Sequence, residues 1–568
     1  MTEEDSLAPG SEEARKPASL GRNTLVMASG TFVSRALGFA RNAMLAAAIG
    51  VNTVAGNSYD VANKIPNALY AIVAAGVLNA VLVPQIVRAF RRPDGKRTVD
   101  RLVTLGVFGS LGLTVLLTLA APVFVQLYTQ DWSADQRGLA IGFAYWVIPQ
   151  LFFYSVYTIL GQVLNAREQF GPYMWAPVLN NIVSIAGLAI YLAVYGGYLA
   201  DDAFVAGERL GGWGPAQISL LAGTATLGIA AQALILIWPL RRGGYRWRAV
   251  WSGPKGELRG VTSVAGWALG AILLDQVGVL VATRIASSAN VGVDGAIDLS
   301  IAGNAAYFNA LMLYLVPHSL VTVSLVTALG TPMARFAAAK DTTALRETTV
   351  RGLRIVTVFS LWSTAVLFAL APAIVRVSLP VQPNDEVMSV AYVLMALSLG
   401  AVPLALLLVF KRVFFALEDG RAVFYIQIPV TIAWLVGMVL AQDALPREWW
   451  TAGVALTLSL SNVVGVVLRA AGVRKRLGGL DGRRTVPVLL RAALAAAVTG
   501  VVGWSLLRFI PEPDLDDKMN ALLVAFGALA VLIPLMGAVY FLLLRVLRVP
   551  EAGDVFGPIL RRLRRTVR

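Results

Sequence analysis

Residues 34–50 of the chain read SRALGFARNAMLAAAIG, an apolar stretch that predicts a membrane-spanning helix and yet contains Arg35 and Arg41. An arginine at the centre of a bilayer costs roughly 2.5–3.5 kcal/mol even on the insertion scale that gives the lowest values. Residues seven apart lie nearly above one another on a helix, so Ser34 shares a face with Arg41, and Arg35 shares one with Asn42. Gly38 lies between the two arginines. The resulting polar arc is expected to face a water-filled cavity rather than lipid.

The rest of the chain also has the composition of a membrane protein. Of its 568 residues 57% are hydrophobic and 14% are charged, whereas soluble domains are about 25% charged. Apolar runs long enough to cross a bilayer recur from Leu25 to Arg545. We therefore predict an all-α polytopic membrane protein with about fourteen transmembrane helices. Their approximate limits are 24–49, 61–90, 101–127, 139–163, 173–195, 215–240, 258–285, 299–329, 351–378, 387–415, 421–441, 449–471, 485–510 and 520–547.

The loops between these spans alternate in charge. Basic loops such as RAFRRPDGKRTVDR (88–101) and RRGGYRWRAVWSGPKGELR (241–259) fall on one side, and acidic loops such as GGYLADDAFVAGERL (196–210) and PEPDLDDKMN (511–520) fall on the other. Because an excess of lysine and arginine marks the cytoplasmic side, both termini are predicted to be cytoplasmic. The net charge of +15 follows from these loops and does not indicate a nucleic-acid partner. Basic loops beside the membrane also fit membrane lipids with anionic headgroups.

Three pairs of segments repeat at an offset of roughly 250 residues, which indicates a duplicated unit. LAAPVFVQLY (119–128) resembles LAPAIVRVSL (370–379); the other two pairs align Glu168 with Glu418 and Pro84 with Pro332. A unit of six spans returns the chain to the same side, so the halves are predicted to be two parallel six-helix repeats with a site between them, followed by two C-terminal helices. The predicted divisions are a disordered N-terminal tail at 1–22, an N-lobe at 23–245, a C-lobe at 246–475, a helix pair at 476–550 and a basic tail at 551–568.

Catalytic and metal chemistry has little support in this sequence. The chain has no cysteine, and His318 is its single histidine, which excludes thiolate sites and two-histidine metal motifs. No GxxxxGK[ST] phosphate loop is present. We therefore predict a transporter of secondary type rather than an enzyme, with no metal and no bound cofactor.

Further polar residues fall within the first two predicted spans of each half. The second span contains Asn57, Asp60, Asn63, Lys64 and Asn67, the seventh contains Asp275, Gln276 and Arg284, and the eighth contains Asn304, Asn309 and His318. We interpret the first-half residues as a substrate cavity and the second-half residues as a second cavity wall or an ion-coupling site.

Structural alternatives remain open for several of these residues. Asp60 could pair with Arg35 or Arg41, and Lys64 could extend to the membrane interface. Asp275 could bind a coupling ion or a proton, whereas His318, which follows Pro317, is more often a local hydrogen-bond donor than a proton relay. Unbalanced arginine charge in a cavity predicts an anionic ligand, because a guanidinium binds phosphate through two parallel hydrogen bonds.

Several motifs resemble the MurJ/MviN family of lipid II flippases, which belongs to the multidrug/oligosaccharidyl-lipid/polysaccharide exporter superfamily. They are SRALGFARNAMLA (34–46), NKIPN (63–67), AVLVPQ (80–85), LVPHSLVTVSLVTAL (315–329) and FFALEDGR (414–421). The resemblance implies a V-shaped pair of six-helix lobes around a cationic cavity, with a groove for the polyprenyl tail at the last two helices. It also implies that Ser34, Arg35 and Arg41 of the first helix and Lys64, Pro66 and Asn67 of the second line that cavity.

The chain departs from the family pattern at several cavity positions. Asn42 and Asn57 stand where the family often has aspartate, Ala75 stands where it often has glutamate, and no arginine precedes Pro317. The cavity implied for this chain is therefore less cationic than that of the family.

These observations together predict a flippase of the bacterial cytoplasmic membrane that moves lipid II, or a similar polyprenyl-diphosphate glycolipid, by alternating access. A sodium ion, a proton or the membrane potential could couple the cycle, and cell-wall synthesis proteins are further candidate partners. The alternatives are a flippase for another polyprenyl-linked glycan, a drug/cation antiporter and a membrane scaffold for wall synthesis. An antiporter is expected to have an acidic cavity, which the arginines of the first span contradict.

Overall fold

A computed structural model describes residues 20–74, 85–86, 89, 95–167, 169–198, 213–252, 263–292, 297–510, 517–551 and 553. Within these ranges the chain is helical, and the β structure is limited to one isolated bridge between Val291 and Ile297. The predicted all-α class is confirmed. The helices of the first half are α1 (Leu20–Ile49), α2 (Val54–Val73), α3 (Gly95–Leu119), α4 (Ala121–Tyr128), α5 (Ala134–Val147), α6 (Gln150–Ala166), α7 (Phe170–Tyr195), α8 (Pro215–Ile218), α9 (Thr224–Leu234) and α10 (Ile237–Arg242).

The second half repeats this order and adds a helix pair. Its helices are α11 (Ser263–Ser288), α12 (Asn304–Pro317), α13 (Val323–Ala338), α14 (Thr342–Ala369), α15 (Ala371–Ser378), α16 (Asn384–Ser398), α17 (Ala401–Ala416), α18 (Gly420–Ala444) and α19 (Trp450–Leu477), followed by α20 (Gly482–Leu507) and α21 (Lys518–Val546). Turns of π-helix at Ser219–Gly223 and His318–Thr322 interrupt two spans. The predicted tails lie outside the described residues, apart from the first residues of α1 and a few after α21.

Eleven spans within the described ranges are long and apolar enough to cross a membrane, and the pair α16 and α17, bent by 44°, makes twelve. Helices α1 and α2 do not meet this test, although they occupy the first two predicted spans. Arg35, Arg41 and Asn42 in α1, and Asp60, Lys64 and three asparagines in α2, lower the hydropathy of these helices. The exact count of fourteen therefore stays a prediction.

The two halves share a structural repeat. In each, a long helix is followed by a one-residue break, at Ala120 or Leu370, and then by an eight-residue helix that starts with Ala-Pro. In each, the first helix packs on the fifth span, α1 on α7 and α11 on α18, and the fifth packs on the sixth. Glu168 and Pro84, which the other two sequence pairs contain, lie outside the described residues.

Close packing in the second half depends on small residues. A Cβ atom at Gly278 of α11 would lie 2.1 Å from the ring of Trp434 on α18, so only glycine permits this approach. The final pair packs on this half: α20 lies against α14, and α21 against α20 and α15. Its buried side chains include Ala492, Leu532 and Met536. The predicted lipid-tail groove at this pair stays a prediction.

Candidate functional site

A cavity of about 280 Å³ lies between the first lobe and α12 of the second. Its polar lining comes from five spans of the first lobe and from one residue of the second. The first-lobe polar residues are Arg41, Asn42, Tyr59, Asp60, Asn63, Asn67, Gln150, Tyr154, Ser184 and Thr224, and the second lobe contributes Ala305, Phe308, Asn309 and Met312. Of the predicted arc of α1, Arg41 and Asn42 face this cavity.

Among the charged side chains of this cavity, Arg41 forms no hydrogen bond or ion pair with the described residues. It lies on α1, half-buried, beside Asn42 and across from Tyr59 and Tyr154 in the same lining. The other charged lining residue, Asp60, is 2.8 Å from the Lys64 ammonium, so its charge is already compensated. The cavity therefore keeps one positive charge for a ligand.

Arg35 and Ser34 do not line the cavity but bind neighbouring helices. Arg35 is exposed, and its Nη1 donates to the Ser319 hydroxyl of the second lobe at 2.6 Å, within the π-helical turn that follows Pro317. The amide of Asn181 on α7 donates to the Ser34 carbonyl oxygen at 2.7 Å. Gly38 lies beside this contact, and a Cβ there would lie 3.8 Å from the Asn181 amide, an ordinary van der Waals distance. Neither arginine forms the predicted alternative ion pair with Asp60 among the described side chains.

Asp60, Lys64 and Asn304 form a polar triad across the two lobes. Besides their ion pair, Lys64 donates to the Asn304 side-chain oxygen, and the Asn304 amide donates to the Asp60 carboxylate. Asn304 is fully buried, and Lys64 also lies over the Tyr307 ring at 6.0 Å. Lys64 therefore does not extend to the membrane interface; it joins α2 to α12.

A second set of buried amides continues this contact between the lobes. Asn57 accepts from the Ala305 backbone N–H at 3.0 Å and lies 3.4 Å from Asn290. Asn52 donates to the Leu299 carbonyl at 2.7 Å and accepts from Asn290 through its own carbonyl at 2.6 Å. We call this set, together with the triad, the interlobe seam. Asn57 thus lies in the seam rather than in the cavity wall.

Most of the polar residues predicted in the second lobe lie away from the cavity. Asp275 accepts from Gln427 of α18 at 2.8 Å, and Gln427 in turn accepts from Arg469 of α19 at 2.9 Å. Arg284 donates to the Leu127 carbonyl at 3.4 Å, so Asp275 and Arg284 have separate partners. Gln276 shares α11 with both and is not part of the lining.

The remaining two second-lobe residues lie on the eighth predicted span. Asn309 lines the cavity, with its amide bonded to the Ala305 carbonyl at 2.9 Å. His318 begins the π-helical turn, and its Nδ1 is buried without a hydrogen-bond partner in the described structure. The helix is thus irregular directly after Pro317.

Five polar residues of the cavity were not predicted from the sequence: Tyr59, Gln150, Tyr154, Ser184 and Thr224. Gln150 donates to Thr226 at 3.1 Å and lies in the lining with Tyr59 and Tyr154. A glutamine that follows Pro149 inside an apolar run was a usable signal for Gln150. The two tyrosines gave no such signal in the sequence, since aromatic residues in membrane spans usually serve as packing or interface residues.

Comparisons with known proteins agree with this architecture. The family model described as lipid II flippase MurJ matches residues 45–513. A Synechocystis protein named probable lipid II flippase MurJ is 25% identical over 509 residues, which cover 88% of this chain and 89% of that protein. A protein of Haemophilus influenzae with the same name is 25% identical over 519 residues, covering 86% of this chain and 92% of that protein.

Two solved structures share the fold. One is described as lipid II flippase MurJ in an inward closed conformation; it superposes with a TM-score of 0.66 at 16% identity and covers 91% of this chain and 99% of its own. The other is an inward-facing multidrug resistance transporter of the MATE family, with a TM-score of 0.61 at 14% identity and coverage of 80% and 98%. The fold is that of a transporter rather than of a catalytic enzyme.

Proposed function

This chain belongs to the lipid II flippase MurJ family and is a multi-pass protein of the bacterial inner membrane, and we propose that it moves lipid II from the inner to the outer leaflet. The diphosphate of the headgroup binds Arg41 in the cavity, and the polyprenyl tail remains in the surrounding lipid. Arg41 supports this proposal because it is the cavity charge left without a partner among the described residues. A guanidinium in a confined site of low dielectric binds a diphosphate through bidentate hydrogen bonds.

Alternating access accounts for the two sets of contacts between the lobes. The seam closes one side of the cavity, at the loops that the charge pattern assigns to the outside, and the Arg35–Ser319 bond joins the lobes nearer the other side. Both sets contain hydrogen bonds that join different lobes, so rocking of the lobes can break one set while keeping the other. In this arrangement Arg35 is a gating residue and Arg41 a binding residue. Both termini are cytoplasmic in this proposal.

The energy source belongs to the same proposal. A diphosphate that moves outward across an inside-negative membrane gains about 2.3 kcal/mol per charge per 100 mV. The membrane potential can therefore drive the loaded step, and the return of the empty carrier is left to a sodium ion, a proton or the same potential. Asp275 is a candidate carboxylate for such an ion; it accepts from Gln427, which in turn accepts from Arg469.

A complementation experiment tests the substrate class. Cells depleted of their own lipid II flippase receive this chain, its Arg41→Ala variant or its Arg421→Ala variant, and lipid II on the outer face is measured. Arg421 is a matched control, since it is an exposed arginine at the start of α18, over the Trp267 ring and outside the cavity lining. We expect rescue by the chain and by Arg421→Ala, and loss of rescue with Arg41→Ala at normal abundance.

Two results would count against the proposal. Normal expression without any rescue would favour another polyprenyl-linked glycan as substrate. Rescue that survives Arg41→Ala but is lost when the basic loops are neutralised would favour the scaffold alternative.

A further inference from the structure

A second, larger cleft lies on the first lobe, away from the cavity described above. Its volume is about 750 Å³, and none of its lining residues belongs to α1, α2 or α12. Helices α3, α6, α9 and α10 and the segment after α10 form its walls. Val107, Phe152, Val156 and Leu234 are among the apolar side chains of these walls. A volume of this size is in the range of sites that bind small molecules.

The polypeptide after α10 is fastened to α3 and gives the cleft a fixed edge. The Tyr245 hydroxyl donates to the Asp100 carboxylate at 2.8 Å, and the Lys96 ammonium lies 2.6 Å from the same carboxylate. The Trp247 indole donates to the Thr104 hydroxyl at 3.2 Å. Tyr245 is buried by this contact. The edge is therefore an ordered part of the lobe, and the Asp100 charge is already compensated there.

Three arginines line the same edge. Arg241, Arg246 and Arg248 are exposed lining residues of the cleft, and within the described ranges no carboxylate forms an ion pair with any of them. They belong to the basic loop that the charge pattern assigns to the cytoplasmic side. The cleft thus combines an apolar interior with a cationic rim.

Tryptophans place this rim at the depth of lipid headgroups. Trp238 and Trp251 are 62% and 59% exposed, and Trp247 lies at the cleft itself. Trp251 contacts the exposed Phe108 ring of α3, with centroids 4.8 Å apart. Tryptophan concentrates at membrane–water interfaces, where its ring lies at headgroup level. The apolar walls then extend from this level toward the acyl chains.

We propose that this cleft binds an anionic glycerophospholipid of the cytoplasmic leaflet. The phosphate of the headgroup binds the guanidinium groups of Arg241, Arg246 and Arg248, and an acyl chain lies between Val107, Phe152 and Leu234. Basic pockets between transmembrane helices on the cytoplasmic side fit this class of lipid. The site is separate from the cavity that holds the flipped substrate, so the proposal does not depend on the identity of that substrate.

Lipid binding by the purified full-length chain tests the proposal. The delipidated protein is titrated with phosphatidylglycerol or phosphatidylcholine, and bound lipid is counted by native mass spectrometry. Two cleft variants separate the parts of the site: Arg246→Ala with Arg248→Ala removes rim charge, and Val107→Phe fills the apolar wall while leaving every arginine in place. The matched control, Arg335→Ala with Lys340→Ala, removes the same charge from another exposed basic region, at the end of α13.

We expect phosphatidylglycerol to bind at least about tenfold more tightly than phosphatidylcholine, since each arginine near a lipid surface strengthens binding of an anionic lipid several-fold. Each cleft variant should remove this preference, and the control should keep it. Equal binding of the two lipids, or an equal loss in the control, would overturn the proposal. Full binding by Val107→Phe together with displacement by inorganic phosphate would also overturn it, because the site would then recognise free phosphate and not a lipid.

Discussion

Replacing Asn304 with alanine is expected to open the outer side of the cavity more often. In the closed arrangement the Asn304 amide accepts from Lys64 and donates to Asp60 across the seam. Once the lobes separate at this side, water can replace the amide for both charged groups. The Asp60–Lys64 pair itself lies within α2 and remains in either arrangement. The substitution therefore destabilises the closed arrangement selectively.

The size of the effect follows from the two lost hydrogen bonds. A hydrogen bond to a charged group contributes about 1.5–3 kcal/mol when its partner is buried. Asn304 is fully buried, and the Asp60 and Lys64 side chains are only 8% and 12% exposed, so solvent screening is small. The loss of even one of the two bonds shifts the equilibrium between closed and open arrangements roughly ten- to hundredfold, so this is the smallest shift expected.

Thiol labelling can measure this equilibrium without labelling of other sites, because the chain has no cysteine of its own. A cysteine at Met312, which lines the cavity on α12, is labelled with a membrane-impermeant reagent added to the outside of right-side-out vesicles. The labelling rate should rise about tenfold or more when Asn304→Ala is combined with this reporter.

Asn309→Ala provides the matched control on the same helix. The Asn309 amide bonds only its own helix, to the Ala305 carbonyl at 2.9 Å, and forms no described hydrogen bond to the first lobe. Labelling should therefore stay near that of the parent. Equal labelling rates in Asn304→Ala and Asn309→Ala would refute the reasoning that the triad holds the lobes together.

Three further outcomes are expected. Asn52→Ala removes the side chain that bonds Leu299, Ser389 and Gly303 and leaves these buried second-lobe groups unsatisfied, at about 1–3 kcal/mol per group, so the purified protein should melt at a lower temperature; an unchanged melting curve would argue against the seam. Gly278→Ala must displace Trp434 and should destabilise by about 1–3 kcal/mol, whereas Gly109→Ala, with open space around it, should not; equal melting temperatures would contradict the packing. At Asp419 partial burial raises the pKa, but hydrogen bonds from the first turn of α18 and an adjacent guanidinium outweigh it, and the net pKa is lowered. Its contribution to stability is therefore present above the unfolded-state pKa of about 4 and is lost as the pH falls through the folded-state pKa, so Asp419→Asn should lower the melting temperature at pH 7 and converge with the parent in strong acid.

Much of the fold was predictable because its signals are local. The length of the apolar runs located the spans, and the charge of the loops divided the loops into two groups. The Ala-Pro break before α15 and its counterpart before α4 are visible in the sequence and recur in the structure. The predicted limits of the spans were less accurate wherever a short helix follows a break. The predicted span 101–127, for example, is divided into α3 and α4.

The site was only partly predictable, because the role of each polar residue depends on partners that are distant in the sequence. Arg41 and Arg35 have the same sequence signal, yet Arg41 lines the cavity and Arg35 bonds Ser319 of the other lobe. Asn57 and Asn304 were indistinguishable from cavity residues in the sequence, because nothing local shows that an amide opposite will satisfy each of them. The second lobe contributes Asn309 as its polar lining residue, whereas Asp275 accepts from Gln427 of the same lobe and Arg284 donates to the Leu127 carbonyl of the first lobe.

Transfer of lipid II across reconstituted vesicles tests the central claim most directly. The purified chain and its Arg41→Ala and Arg41→Lys variants are incorporated into vesicles with lipid II or with a polyprenyl monophosphate glycolipid, and the headgroup exposed at the opposite face is measured over time. We predict that Arg41→Ala lowers lipid II transfer about ten- to hundredfold, as expected for a lost charge-assisted contact, that lysine restores it only in part, and that the monophosphate glycolipid is moved slowly by all three. Lipid II transfer that is unchanged by Arg41→Ala would contradict the account.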